Sequence, residues 1–227
     1  MSAFLSKGLS LKMISDLLSE QLDSSYQPTY DNIIEQLQNQ HYAYVDDFFD
    51  EMILKDLQLH LLDLYEADEL KKAAIGKYFD EHIKTEIRGD YIQWIDDKRP
   101  TNLEKSFFDK IQDFVEYLNR TCFMGILQKE FHYAVYPKGR FYKRHLDTFQ
   151  NDRRRKLSVI LYLNKNWTPT DGGELVIYLQ ENGLEIAKTI HPKFGRLVIF
   201  ESQLLEHEVK PVLQNLRLSI TGWLKVR

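Results

Sequence analysis

Cysteine is almost absent from this 227-residue chain. Cys122 stands alone, so no disulfide can close within the chain, and a reducing compartment is expected. No stretch approaches the roughly eighteen apolar residues of a membrane-spanning helix. The opening Met1-Ser-Ala-Phe-Leu-Ser-Lys-Gly lacks the sustained apolar run of a secretory signal. A large excess of charge is lacking too. The net charge of −4 sets up no field to gather nucleic acid, although Arg153-Arg154-Arg155-Lys156 forms a local basic patch. No internal repeat or low-complexity segment occurs. These absences lead to the expectation of a cytoplasmic protein with neither a membrane nor nucleic acid as partner; they leave the oligomeric state open. What is present is enough for a core: 43% of residues are hydrophobic and 13% aromatic. The length suits one large domain or a domain with a helical extension.

The two halves of the chain read differently. Up to about residue 120 the pattern is mostly helical. Ser10 is expected to cap a first helix bearing Leu11, Ile14, Leu17 and Leu18, and Asp31 a second bearing Ile33, Ile34 and Leu37. His41 to Val45 reads as a short strand. Glu51 to Tyr65 reads as a helix with a stripe of Ile53, Leu57, Leu61 and Leu64, and Leu103 to Leu118 as another. Between them, Glu86 to Asp96 is rich in Ile, Tyr and Trp and predicts a strand pair or a strand and loop. From residue 131 onward eight short strands are predicted: 131–136, 142–147, 157–163, 174–179, 184–189, 196–200, 206–210 and 216–226. Turn residues separate most of them, among them Pro137-Lys-Gly139, Thr170-Asp-Gly-Gly173 and Glu181-Asn-Gly183. The predicted fold is α+β: a jelly roll (double-stranded β-helix) with N-terminal helices packed on one sheet. The expected division is a helical extension over 1–40 and a domain over 41–227, with helical support to about 125 and the jelly roll from about 126.

The residues with the most chemistry in them are His145, Asp147, His207 and Arg217. His145 and Asp147 are two apart, and on a strand they share a face; on a helix they would diverge by about 200°. Here they end an extended segment, Arg140 to Asp147. His207 lies 60 residues on (207 − 147 = 60), as a third ligand from another strand would. Two imidazoles and one carboxylate without thiolate suit non-haem Fe(II) and O2 better than structural zinc. Arg217 follows ten residues later (217 − 207 = 10). Three protein ligands leave three coordination positions, two of which a 2-oxo acid can fill. Its far carboxylate then needs a cation, and the guanidinium fork can grip it bidentately. Along the last strand Leu216, Leu218, Ile220, Leu224 and Val226 alternate with Arg217, Ser219, Thr221, Trp223 and Lys225. The pattern alone does not choose which set faces inward; the place of Arg217 after His207 favours an inward Arg217, Thr221 and Trp223.

An ordered series of segments resembles the 2-oxoglutarate- and Fe(II)-dependent prolyl 4-hydroxylases, in the branch of the oxygen-sensing enzymes and their bacterial relatives. The segments are Ala134-Val-Tyr-Pro-Lys-Gly, Tyr142 to Asp147, Leu161-Tyr-Leu-Asn-Lys-Asn-Trp167, Gly172-Gly-Glu-Leu175, Ile190 to Leu197, His207-Glu-Val-Lys-Pro211, Arg217 to Trp223, and upstream Ile87 to Ile95. The resemblance covers roughly residues 40 to 227. It implies His145, Asp147 and His207 as iron ligands, with Arg217 and Tyr162 on the distal carboxylate of 2-oxoglutarate. Tyr136, Thr221 and Trp223 are implied as walls of that pocket, and Arg88, Asp90 and Arg155 as substrate-binding positions. The implied reaction hydroxylates C4 of a prolyl residue and converts 2-oxoglutarate and O2 to succinate and CO2, with ascorbate keeping the iron ferrous. The implied partner is a protein presenting proline in an exposed loop, with elongation factor Tu as a candidate. The 136–145 connection is about one residue shorter than in the animal enzymes, and the 207–217 stretch about one residue longer.

Other readings stay open. One is hydroxylation of a free amino acid or other small molecule. Another is a metal-containing jelly-roll module for binding or sensing without turnover. His41, His60, His82, His132 and His191 are expected to be structural or surface groups, Trp94 and Trp167 packing residues, and Cys122 a buried, chemically silent residue near a helix end. Arg88 and Asp90 are as well explained by an ion pair with each other as by substrate contact.

Overall fold

The computed structural model describes residues 27–73, 87–148 and 153–227. The helix expected at Ser10, as well as His82, lies outside them. In chain order the elements are α1 (Pro28–Gln40), β1 (Tyr42–Val45), α2 (Glu51–Glu66), β2 (Lys71–Lys72), β3 (Tyr91–Trp94), α3 (Asn102–Cys122), β4 (Gln128–Tyr136), β5 (Tyr142–His145), β6 (Arg155–Tyr162), a 3-10 turn (Pro169–Asp171), β7 (Leu175–Glu181), β8 (Leu184–Ile190), β9 (Leu197–Glu201), β10 (Glu206–Val209) and β11 (Arg217–Lys225). None of the described helices is long and apolar enough to cross a membrane.

Local chemistry explains the helix ends. α1 begins at Pro28, ahead of the expected Asp31, because proline's fixed φ suits the first helical turn. Asp31 instead accepts a hydrogen bond from the Tyr117 hydroxyl at 2.6 Å. α3 opens on a capping box. Thr101 Oγ1 accepts from the Glu104 amide, and the Glu104 carboxylate accepts from the Thr101 amide at 2.8 Å. In α2 the buried stripe is Leu54, Leu57 and Leu61, with Ile53 and Leu64 on its flanks. Cys122 ends α3 and is only partly buried.

All eight predicted jelly-roll strands are present, with ends shifted by up to three residues. They divide between a seven-stranded sheet, β1-β9-β6-β11-β4-β3-β2, and a four-stranded sheet, β5-β10-β7-β8. Every pairing is antiparallel. The β7–β8 hairpin turns through Asn182 and Gly183, both at positive φ, as a two-residue turn with strand-matching twist requires.

The larger sheet is covered on both faces. Phe131, Tyr133 and Val135 of β4, Leu157, Val159 and Leu161 of β6, and Leu218, Ile220 and Leu224 of β11 pack outward against Tyr30 and Ile33 of α1, Leu57 and Leu61 of α2, and Phe107 and Phe114 of α3. The alternate residues face the smaller sheet: Ile160, Tyr162, Val198 and Phe200 meet Leu175, Ile177 and Leu179. Strands buried on both faces show no polar alternation, which is why β6 reads as a nearly continuous apolar run. Between the sheets, at one end of the sandwich, the apolar packing gives way to a cavity of about 520 Å³.

Candidate active site

Three elements converge on the cavity. His145 is the last residue of β5 and His207 lies in β10; they sit directly opposite each other in the antiparallel pairing. Asp147 falls two residues beyond the end of β5, so the carboxylate comes from the loop and not, as the spacing predicts, from the strand itself. Its Oδ1 is 3.5 Å from His145 Nε2 and its Oδ2 3.6 Å from His207 Nε2. One ligand atom from each residue lies within 4.8 Å of the others.

The set fits a divalent ion of the facial-triad kind. All donors are nitrogen or oxygen. Both imidazoles have Nδ1 turned to a backbone carbonyl, His145 to Lys143 O at 2.7 Å and His207 to Leu205 O at 3.3 Å. That contact puts the proton on Nδ1 and leaves the Nε2 lone pair for metal. Burial works to raise the Asp147 carboxyl pKa, but the facing His207 and His145 rings and the Ser158 hydroxyl outweigh it and hold it well below the usual carboxylate range. Burial pushes His207 down to about 4, with the Asp147 charge opposing. Asp147 is therefore ionised and His207 neutral, the states in which a carboxylate and an imidazole bind metal.

Ser158 is fully buried, and its Oγ donates to Asp147 Oδ2 at 2.7 Å while lying 2.9 Å from Ser202 Oγ. Replacing Ser158 by alanine is expected to weaken Fe(II) or Mn(II) binding about 10–100-fold, the usual effect of losing a partner that orients a ligand. Metal titration followed by calorimetry checks this; unchanged affinity would show that Ser158 does not orient Asp147.

Arg217 is 2% exposed and points inward with Thr221 and Trp223, so the polar set of β11 takes the cavity face. Its Nε donates to Gly173 O at 2.8 Å and its Nη2 to the Tyr162 hydroxyl at 3.2 Å. The guanidinium carbon lies 4.9 Å from the ring centroids of both Tyr136 and Tyr162. Gly173 sits at φ +75, with Arg217 Cδ 3.0 Å from where a Cβ would stand, so only glycine lets its carbonyl meet the guanidinium there. Among the described residues no carboxylate pairs with Arg217. A buried, uncompensated guanidinium is costly and marks a place for an anion.

Arg88 and Arg155 line the cavity; Asp90 does not. Asp90 is 1% exposed and holds Arg88 in a bidentate pair at 2.8 and 2.6 Å. The Arg88 guanidinium lies over Tyr142 at 4.5 Å, and Tyr142 stacks on His145 at 3.6 Å between ring centroids. Asp90 thus reaches the site only through Arg88. Arg155 bonds Glu130 at 3.1 Å and covers the Trp223 ring at 3.5 Å.

Two residues expected to be structural or packing groups do pack, and they also line the cavity. His132 is 2% exposed, with its ring against those of Trp94 and Trp223. Trp94, 54% exposed, stands at the cavity rim with its ring 4.9 Å from that of His132. Ser158 and Tyr142, which hold Asp147 and His145, carry no signal of that role in the sequence. The period-two pattern from Tyr136 through Ala134 to His132 is the signal that could have found His132.

Burial, helped by Arg88, lowers the His132 pKa to about 3. His132 and His207 are both buried neutral, and in the unfolded chain each would titrate near 6.5. Below that value the unfolded state gains protons that the fold refuses, so stability falls as pH drops toward about 4, by roughly 1.4 kcal/mol per pH unit for each ring. Asp147 acts in the same direction at lower pH, since its depressed carboxyl stabilises the fold only above the unfolded pKa. Urea unfolding of the protein in EDTA between pH 8 and 5 checks this; a flat profile would contradict neutral burial.

Residues 131–225 match the 2OG-Fe(II) oxygenase superfamily. Mouse (Mus musculus) Egl nine homolog 1 is 34% identical over 145 residues, covering 61% of this chain and 35% of that protein, so the chain corresponds to about a third of that relative. A Pseudomonas putida prolyl-4-hydroxylase crystal structure superposes with TM-score 0.77 at 33% identity, over 88% of this chain and 100% of that one. A Trichoplax adhaerens prolyl hydroxylase, solved with a hypoxia inducible factor oxygen degradation domain peptide fragment, gives TM-score 0.78 at 28% identity over 91% and 93%. Jelly-roll core, donor set and these relatives agree, and the chain belongs to the 2OG-Fe(II) oxygenase superfamily, with prolyl hydroxylases among its relatives.

Proposed function

We propose that the protein hydroxylates C4 of a prolyl residue in a loop of another protein, consuming 2-oxoglutarate and O2 and releasing succinate and CO2. The observation that carries this reading is the convergence, in one cavity, of three ligand side chains and an arginine with no carboxylate partner among the described residues.

His145, Asp147 and His207 would hold Fe(II), which supplies the redox chemistry coupling 2-oxoglutarate decarboxylation to hydroxylation. The remaining work belongs to the chain. Arg217 meets the distal carboxylate with its fork, and the Tyr162 hydroxyl beside it adds a donor. Burial raises the pKa of Tyr136 well above the usual phenol value, so it borders the cosubstrate as a neutral group. Ile160, Leu175 and Val209 give the cavity apolar wall that limits water around the reacting groups. Arg88, fixed by Asp90 and stacked over Tyr142, and Arg155 over Trp223 border the mouth, where a peptide would pass.

The peptide captured by the Trichoplax relative supports a peptide substrate. Elongation factor Tu remains the candidate target by resemblance, ascorbate the expected reductant, and the cytoplasm the expected compartment. The test is incubation with Fe(II), 2-oxoglutarate, ascorbate and either elongation factor Tu or proline peptides, followed by mass spectrometry. Addition of one oxygen atom to a proline is the expected result, and its absence from every candidate counts against the peptide reading. The shortened 136–145 connection keeps a free amino acid as the competing substrate; succinate release driven by free proline and not by peptides would favour it. A module without turnover has no use for the Arg217–Tyr162 clamp, and would be revived by failure to decarboxylate 2-oxoglutarate.

A further inference from the structure

Among the described residues, three buried side-chain polar atoms lack a hydrogen-bond partner: Gln93 Oε1, His132 Nδ1 and Trp223 Nε1. Gln93 borders the cavity too, but strand parity puts its side chain, paired with Tyr133, on the helix-covered face of its sheet. The other two belong to the cavity face. Their rings are neighbours, 5.5 Å apart and inclined by 31°. Buried polar groups are normally paired, and exceptions call for a reason. An apolar side chain would fill either position without an orphan atom.

Strand β11 serves as a ruler for where this pair lies. Arg217 is opposite Tyr136 at one end. Thr221 is opposite His132, and Trp223 is opposite Ser158, whose hydroxyl holds the ligand Asp147. Six residues of strand, roughly 20 Å, separate Trp223 from Arg217. The orphan pair is thus remote from the arginine that would grip the cosubstrate's far carboxylate, and level with the ligand end of the cavity. Two groups cover it. The half-exposed Trp94 leans over His132, and the Arg155 guanidinium lies over Trp223. Both stand at the mouth, where an arriving chain would shift them.

The geometry points to His132 and Trp223 as a specificity-determining subsite for an uncharged peptide group next to the reacting proline. An indole N–H only donates, and a neutral imidazole offers one donor and one acceptor. A peptide group has both a carbonyl and an N–H and can satisfy the two together. A free amino acid would bring a carboxylate or an ammonium instead. Of the cations lining the cavity near this pair, Arg88 is engaged by Asp90 and Arg155 by Glu130, while Lys71 and Lys72 stand exposed at the rim, and burial keeps His132 uncharged. Because both orphan atoms are already stripped of water, a substrate that reaches them gains the hydrogen bonds without desolvating the protein side. The inference rests on the prolyl-hydroxylase reading above and narrows it to peptide over free amino acid.

The test needs no turnover. Two of the three tryptophans, Trp94 and Trp223, lie against His132, while Trp167 stacks on His191. Tryptophan emission of the full chain, loaded with Mn(II) and 2-oxoglutarate, is titrated with N-acetyl-L-proline N-methylamide and with free L-proline. The wild type should bind the amide about tenfold or more tighter, the scale of one to two hydrogen bonds. His132→Leu should erase that preference and His132→Asn restore part of it, with Mn(II) affinity as the check that each variant is folded. Equal binding of the two probes by the wild type, or an unchanged preference in H132L, overturns the subsite. The prolyl-hydroxylase reading fails separately, if succinate forms in the Fe(II) enzyme with no oxygen added to any prolyl peptide.

Discussion

Alanine in place of His207 is expected to abolish 2-oxoglutarate-dependent succinate formation. The residue is held on both sides, with β10 paired to β5 and to β7, so the backbone will keep its course when the ring is removed. What disappears is one of three ligand atoms that lie within 4.8 Å of one another. Loss of a partner outside the ligand set weakens a metal site about 10–100-fold, and loss of a ligand should exceed that. The remaining His145 and Asp147 come from one short segment and cannot enclose an ion from two directions. Metal titration together with circular dichroism separates loss of metal from loss of fold. Tight Fe(II) binding or retained turnover in H207A would remove the facial-triad reading.

The second large effect is expected at Arg217. Arg217→Met keeps length and apolar bulk but removes charge and fork. The apparent 2-oxoglutarate affinity should fall by several kcal/mol, on the order of a hundredfold or more, as for other desolvated charge pairs that lose one partner. Arg217→Lys should lose less, because charge survives while the bidentate geometry does not. Stability should move the other way. In the absence of 2-oxoglutarate the wild type buries a cation with no carboxylate opposite it among the described residues, so R217M is expected to unfold at an equal or higher urea concentration. A residue retained for folding would show the reverse: lower stability and unchanged cosubstrate affinity. The pair of measurements therefore distinguishes an anion site from a structural arginine.

Much of this was legible before any coordinates. The eight strands of the jelly roll follow from short β-rich runs punctuated by residues such as Asn182-Gly183, which only certain turns accept. The candidate metal donors could be read from residue type and spacing only together with Arg217 and the flanking resemblance, since His-x-Asp by itself is usually a chance surface pair. The least legible parts were relations across the sheets. Ser158 reaches Asp147 from β6, and Tyr142 stacks on His145 while Arg88 arrives from a segment more than fifty residues upstream (142 − 88 = 54). Nothing local in the chain encodes those neighbours.

By itself the sequence determined the chemistry available: two imidazoles, a carboxylate and a guanidinium in strands of period two. It could not determine facing. In β11 both the apolar and the polar set are largely buried, because helices cover one side of the sheet and the second sheet the other. Alternation offers two faces of equal standing, and only the stacking of the two sheets decided that Arg217, Thr221 and Trp223 look into the cavity. The same stacking brought His132, two rows from Tyr136 on its strand, into the wall of the site.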